Sequence, residues 1–307
     1  HPEPKLRRQK TKERERERNA EAIRRAEAVR EQTGIRELRR KPVFTTPNYF
    51  PPALPSPEVA PRESAELLHC YVCKQKYTLI HHFYDQMCPS CADFNFAKRT
   101  ELADLTGRVA LLTGGRVKIG YQAGLKLLRA GAQLIVTTRF PRDSAARYAQ
   151  EPDFGEWGHR LEVFGLDLRH TPSVEAFCHE LIGKLPRLDF IINNACQTVR
   201  RPPEFYAHMM EAETAALHDT PEDVRKLLGS YEGLRSYNML PDANASAMQV
   251  AIGGISETAG LTRPAELSQV PLLAEELLGQ KHLFPEGRLD QDLQQVDLRG
   301  RNSWRLL

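Results

Sequence analysis

The chain has 307 residues, 41% hydrophobic and 27% charged, with a formal net charge of +3. That composition can bury a sizeable core, in about two domains. No run approaches the roughly 18 apolar residues of a membrane span, and the basic N-terminus lacks the apolar stretch of a secretory signal.

The charge is uneven. Residues 1–41 hold fifteen Lys/Arg against eight Asp/Glu, a surplus of seven that leaves the remainder at minus four. Over residues 5–41, Glu13 and Arg16, Glu21 and Arg25, and Glu27 and Arg30 have helical spacing. Apolar positions are sparse (Ile23, Ala26, Val29, Ile35, Leu38), too few for a core of their own. Residues 1–46 therefore read as a basic arm, a solvated helix or a disordered segment. Such an arm can touch RNA, an anionic membrane or a nuclear-import receptor; a solvated charged helix is the simpler reading. Residues 47–64 read as an extended linker, with six prolines between positions 47 and 61.

Residues 65–98 carry two CxxC knuckles, Cys70 with Cys73 and Cys88 with Cys91, separated by fourteen residues. Four thiolates at this spacing can close tetrahedrally on one zinc ion. Paired disulfides are the alternative, and the missing secretory signal argues against them. With four cysteines the shell is full, so the expected zinc is structural, and His69, His81 and His82 are not needed. Tyr71, Tyr77, Phe83, Tyr84, Phe94 and Phe96 are expected to form the module's core; stacking on nucleic acid is the alternative. The short connection over residues 92–107 suggests that the module packs on the next domain.

From residue 99 the pattern changes. Residues 109–112 form an apolar run short enough for a buried strand. Thr113, Gly114, Gly115 and Arg116 come next, then Lys118, Ile119 and Gly120, then a helical pattern to Gly131. Strand, glycine turn and helix is the unit that brings backbone N–H groups and a helix N-terminus to a dinucleotide pyrophosphate. Residues 133–138 read as a second strand, followed by Arg139. Residues 161–168 read as a third, carrying Asp167 and Leu168, and residues 188–194 as a fourth, ending in Asn193 and Asn194 before Ala195. Helical segments alternate with them; Thr171 reads as the N-cap of one, and Cys178 as packing on its apolar side. The fold class is α/β, a partial Rossmann-type doubly wound parallel sheet over residues 99–198, preceded by the zinc module and the basic arm.

These motifs resemble the short-chain dehydrogenase/reductase family over about residues 105–200. The family's TGxxxGxG is matched at Thr113, Gly114, Gly115, Arg116, Val117, Lys118, Ile119 and Gly120. Its aspartate after the third strand is matched at Asp167, next to Leu168, and its NNAG at Asn193, Asn194, Ala195 and Cys196. Lys118 stands where the family usually has a second glycine, similar to the NADPH-using pteridine reductases, and Cys196 replaces the last glycine. The resemblance implies that the glycine turn holds the cofactor phosphates, that Asp167 sits near the adenine, and that residues 193–195 flank the adenosine and inner ribose. Arg139 occupies the position that chooses the cofactor. An arginine there pairs with the 2′-phosphate of NADP(H), so NADP(H) is expected over NAD(H).

After Thr198 the motif pattern is lost. Residues 199–307 read as a helical and loop insertion: Thr220 and Pro221 start one helix, Pro271 another, and AIGGIS at residues 251–256 reads as a turn. An insertion after the fourth strand lies on the ligand side of such a sheet and can cover the substrate. The resemblance implies an oxidoreductase acting on a small carbonyl or alcohol substrate, with a proton-donating tyrosine and a lysine four residues on. None of the nine tyrosines has that lysine, and only Tyr231 comes near, with Arg235. The chain, which begins at His1 and ends at Leu307, thus reads as a catalytically incomplete fragment. The other reading is a non-catalytic zinc-stapled dinucleotide-binding protein for interaction or sensing. Cytoplasm is the default compartment, and the basic arm allows the nucleus. Substrate identity and oligomeric state leave no trace in the sequence.

Overall fold

A computed structural model describes residues 4–40, 62–196, 201–239, 259–270, 281–290 and 294–299. The chain divides into two compact units, His1–Glu101 and Leu102–Leu307.

In the first unit, α1 (Pro4–Glu31) and α2 (Gly34–Arg40) precede a hairpin of β1 (Arg62–His69) and β2 (Lys76–Ile80), then α3 (Pro89–Thr100). Charge covers α1, with an ion pair of 2.5 Å between Arg25 and Glu21, and Ile23 stays exposed. Its far end is anchored. The N–H groups of Gly34 and Ile35 donate to the carbonyls of His82 and Phe83 at 3.0 and 2.8 Å. Arg36 holds the buried carboxylate of Asp85 at 2.5 Å. Gly34 is required there, because a Cβ would meet the Phe83 ring at 2.6 Å.

The six aromatic residues do not share one core. Tyr77 is buried, but Tyr71 is 68% and Phe94 64% exposed. Tyr71 follows Cys70 on the knuckle turn and Phe94 lies on the outer face of α3, and neither meets an opposing layer. Phe83 instead stacks with Tyr84 and Phe96 at 4.8 and 5.1 Å between centroids.

The second unit is a four-stranded parallel sheet in the order β5-β4-β3-β6. Its strands are β3 (Val109–Thr113), β4 (Gln133–Thr138), β5 (Leu161–Gly165) and β6 (Phe190–Asn193). Between them run α4 (Lys118–Arg129), α5 (Pro141–Ala149), the single turn α6 (Phe154–Trp157) and α7 (Thr171–Lys184). Leu112, Leu134, Ile135, Val136, Val163 and Phe164 are fully buried, as expected of strands covered on both faces. β6 is different: among the described residues it pairs with β3 alone, and Phe190 and Ile191 are exposed.

Three details differ from the expectations of the sequence. The third strand stops at Gly165, because the Asp167 N–H leaves the ladder for the carbonyl of Gly260 at 2.7 Å. Thr171 is the first helical residue of α7; the N-cap is His170, whose Nδ1 lies 2.9 Å from Ser173 Oγ. Cys178 is exposed, since Ser173, Phe177 and Leu181 form the buried stripe of α7 at i, i+4 spacing and Cys178 falls beside it.

Beyond β6, α8 (Pro203–Thr214) and α9 (Glu222–Met239) are followed by short turns at Ala259–Thr262 and Pro264–Leu267. The helix start expected at Thr220 and Pro221 is present. The helix expected at Pro271, the turn at residues 251–256 and the final residues 303–307 lie outside the described residues. Among the described residues no helix is long and apolar enough to cross a membrane.

Candidate functional site

The C-terminal ends of β3, β4, β5 and β6 bring most of the residues singled out above to one edge. The end of β3 is tied to the end of β6 by a single hydroxyl. Thr113 Oγ1 accepts the N–H groups of Asn194 and Ala195 at 3.1 and 3.0 Å. Asn194 Nδ2 in turn donates to the Gly114 carbonyl at 3.1 Å. Asn193 is held by the ladder, in register with Thr113.

The glycines make this closure sterically feasible. Gly114 has φ of +70°, and a Cβ on it would lie 2.9 Å from the Ala195 Cα. A Cβ on Gly120 would overlap the Gly114 carbonyl and the Asn194 amide. At Gly115 it would meet Val136 at 2.7 Å, and the Gly115 carbonyl is fixed by the Tyr148 hydroxyl at 2.9 Å. The first turn of α4 is therefore drawn against the turn after β3. Val117, at its N-cap, has no side-chain oxygen to cap that turn. Such a helix start suits an anion.

Lys118 adopts φ of +54°, which explains why the resembling family uses glycine there. A non-glycine residue in this region costs on the order of 1 kcal/mol. Lys118 is exposed and Ile119 is 78% exposed, so both side chains stand out from the turn. Arg116 turns inward instead. Its Nη1 donates to Asp143 Oδ2 at 2.8 Å, and Arg147 reaches the same oxygen at 2.7 Å. Burial alone would raise the Asp143 carboxyl; the two arginines outweigh it and hold it below the ordinary range.

Asp167 is 1% exposed and engaged: Arg169 Nε donates to its two oxygens at 2.9 and 3.1 Å. Against the upward push of burial, these bonds and the charges of Arg169 and Arg139 keep its carboxyl depressed. Leu168 beside it is exposed. Arg139, half-buried after β4, donates from Nη2 to the Tyr206 hydroxyl at 3.0 Å.

Two residues at this edge carry no signal in the motifs. The N-cap of α5, Phe140, has no capping oxygen. Glu213 of α8 supplies one from a distance, accepting the N–H groups of Arg142 and Asp143 at 3.2 and 2.8 Å. Burial pushes its carboxyl up to about 7. Tyr206, on the same helix, anchors Arg139. The one local signal for either is that Phe140, an apolar residue, occupies an N-cap. Tyr231 is buried, its hydroxyl donating to the Leu261 carbonyl at 3.0 Å, and Arg235 is turned to the Thr262 carbonyl at 2.8 Å.

In the first unit, Cys70, Cys73, Cys88 and Cys91 converge, with all four sulfurs within 4.8 Å of one another. None is in a disulfide, and Cys73 and Cys88 Sγ are 3.7 Å apart. A tetrahedron with metal–sulfur bonds of about 2.3 Å has edges of about 3.8 Å, whereas a disulfide brings two sulfurs to about 2.05 Å. Cys88 lies at the N-cap of α3, where the helix dipole favours a thiolate. The cluster can hold a metal ion.

A family model described as short chain dehydrogenase matches residues 108–218, reaching past the last motif into α8. An uncharacterized protein of Acanthamoeba polyphaga mimivirus is 40% identical over 136 residues, 42% of this chain and 29% of that protein. Bos taurus dehydrogenase/reductase SDR family member 13 is 35% identical over 106 residues, 33% of this chain and 28% of that protein. Mus musculus retinol dehydrogenase 14 is 39% identical over 100 residues, 29% of each. Among solved structures, a short chain dehydrogenase from Escherichia coli CFT073 complexed with NADPH is similar at 22% identity. Its TM-score is 0.29, over 48% of this chain and 52% of that one. Over residues 108–218 the chain resembles the short-chain dehydrogenase/reductase family. It spans less than a third of the length of each of these three relatives.

The Glu213 cap is expected to be pH-dependent. With its ordinary value of 4.5 raised to about 7, the folded state holds a proton that the unfolded chain releases. Its stabilising contribution is complete below 4.5 and is lost as pH rises through about 7, on the order of 3 kcal/mol in all. Urea unfolding at a series of pH values is expected to show Glu213→Gln gaining on the wild type across this window. A difference that is flat with pH would contradict the assignment.

Proposed function

We propose that this chain binds NADP(H) at the C-terminal edge of its sheet. We further propose that it belongs to an oxidoreductase acting on a carbonyl or alcohol. The observation that carries the reading is the closure of Gly114 and Gly120 on Asn194, which brings the first turn of α4, with Val117 and no capping oxygen at its N-cap, to this edge. Backbone N–H groups of that turn are suited to the pyrophosphate, with Lys118 as a cation beside it. Asn193, Asn194 and Ala195 are suited to flank the adenosine and inner ribose, with the Asp167–Arg169 pair near the adenine. Arg139 is suited to the 2′-phosphate. Bound, the cofactor supplies or accepts the hydride; the chain's residues orient it.

The proton donor is the open point. The only tyrosine with a lysine or arginine four residues on, Tyr231, is buried and committed to the Leu261 carbonyl, and arginine is fixed in charge. This observation favours a second reading for the 307 residues alone, a cofactor-binding module without chemistry. The cysteine cluster is proposed to hold one structural zinc in either case, with no position left for a substrate.

Calorimetric titration is expected to give tighter binding of NADPH than of NADH. Arg139→Ala is expected to lose about 1.5–3 kcal/mol with NADPH and little with NADH; equal affinities in both proteins would rule the site out. The chain is expected to consume no NADPH with a panel of aldehydes, ketones and quinones. Turnover abolished by Tyr231→Phe would make that tyrosine the acid and overturn this view. Elemental analysis is expected to find one zinc per chain, lost in Cys70→Ser together with the folding of the hairpin. Metal-free protein with those cysteines oxidised to disulfides would refute the zinc assignment.

A further inference from the structure

The arginines around the sheet edge are mostly paired with carboxylates. Arg116 and Arg147 share Asp143, Arg142 faces Glu232 at 3.6 Å, and Arg169 holds Asp167. Arg139, at the end of β4, has no carboxylate within ion-pair distance among the described residues. What it has is aromatic. Its guanidinium lies over the Tyr206 ring at 5.0 Å and the Phe140 ring at 5.6 Å. Nη2 donates to the Tyr206 hydroxyl at 3.0 Å. The two rings are themselves 4.9 Å apart and tilted by 30°.

Resting on the NADP(H) reading above, we infer that Tyr206 of α8 is the positioning residue that makes Arg139 selective for the 2′-phosphate of NADP(H). A carboxylate would orient a guanidinium equally well, but it would cancel the charge that a phosphate monoester needs. A phenol hydroxyl orients it by accepting one N–H and leaves the charge intact. The aromatic faces add attraction without neutralising it. The remaining donors of the planar fork stay available for phosphate oxygens, and the Tyr206 O–H can donate to the same group.

The support is rigid. Tyr206 is 5% exposed and packed with Phe140, Phe205, Met209, Ala265 and Phe284. A free arginine gives up rotamer freedom when it is fixed; here that ordering precedes binding. The competing acceptor nearby, Asp167, is already occupied by Arg169. α8 thereby takes part in cofactor choice from outside the recognised motifs.

The test uses the full chain and binding alone. NADPH, NADH, and the fragments 2′,5′-ADP and 5′-AMP are titrated calorimetrically into wild type, Arg139→Ala, Tyr206→Phe and the double variant. Phe keeps the ring and the packing, so the melting temperature of Tyr206→Phe should match the wild type. Its affinity for NADPH and 2′,5′-ADP is expected to fall roughly 3- to 10-fold, the worth of one hydrogen bond. NADH and 5′-AMP should change by less than about twofold, and the double variant should be no weaker than Arg139→Ala. If Arg139→Ala collapses the preference for the 2′-phosphate and Tyr206→Phe does not, the role of Tyr206 is overturned and the site stands. If Tyr206→Phe weakens all four ligands equally, it acts through packing and the inference also fails. If Arg139→Ala leaves the preference untouched, the NADP(H) reading itself is lost.

Discussion

The unit from Leu102 to Leu307 depends on one close approach. The turn after β3, the first turn of α4 and the residues after β6 occupy a space with no room for a side chain at Gly114 or Gly120. One hydroxyl, on Thr113, and one amide, on Asn194, satisfy the polar groups that this crowding would otherwise strand. A buried unpaired donor costs about 1–3 kcal/mol, so the contact and its hydrogen bonds stand or fall together. Every other feature of the edge takes its position from this closure: the orientation of α4, the exposure of Lys118 and Ile119, and the placing of Asn193 to Ala195.

Around it, electrostatics is arranged in two ways. Arg116, Arg142, Arg147 and Arg169 are paired with carboxylates and act as structural pins. Arg139 is steadied by aromatic rings and a phenol, with no carboxylate within ion-pair distance among the described residues. The two helix starts at this edge show the same contrast. α5 is capped by the Glu213 carboxylate, whereas α4 has only Val117 at its N-cap.

The N-terminal unit solves a different problem. Its apolar cluster consists of Tyr77 with Cys70 and Cys88, and with Leu68, Met87 and Cys91 beside them. Half of those positions are the cysteines themselves, so packing alone offers little. Four cysteine sulfurs lie within 4.8 Å of one another beside this small core, and α2 and the end of α1 are bound to the unit through Gly34, Ile35 and Arg36. The charged N-terminal segment is thus solvated along most of α1 and anchored where it ends.

The sequence alone determined the strand–turn–helix alternation, the glycine positions, the asparagine pair and the cysteine spacing. All are local patterns of period, size or chemistry that no tertiary context needs to supply. Strand ends came less cleanly: residues 161–168 hold mostly apolar side chains up to Asp167, and only the carbonyl of Gly260, distant in sequence, draws that residue out of the ladder. The cap of α5 and the anchor of Arg139 belong wholly to the tertiary structure, because both depend on α8 crossing residues more than sixty positions earlier. Arg116 and Asp167 carried motif positions in the sequence, yet Asp143, Arg147 and Arg169 decided where their charges point. A motif states which residue is present; which partner neutralises it depends on what the fold brings within about 3 Å.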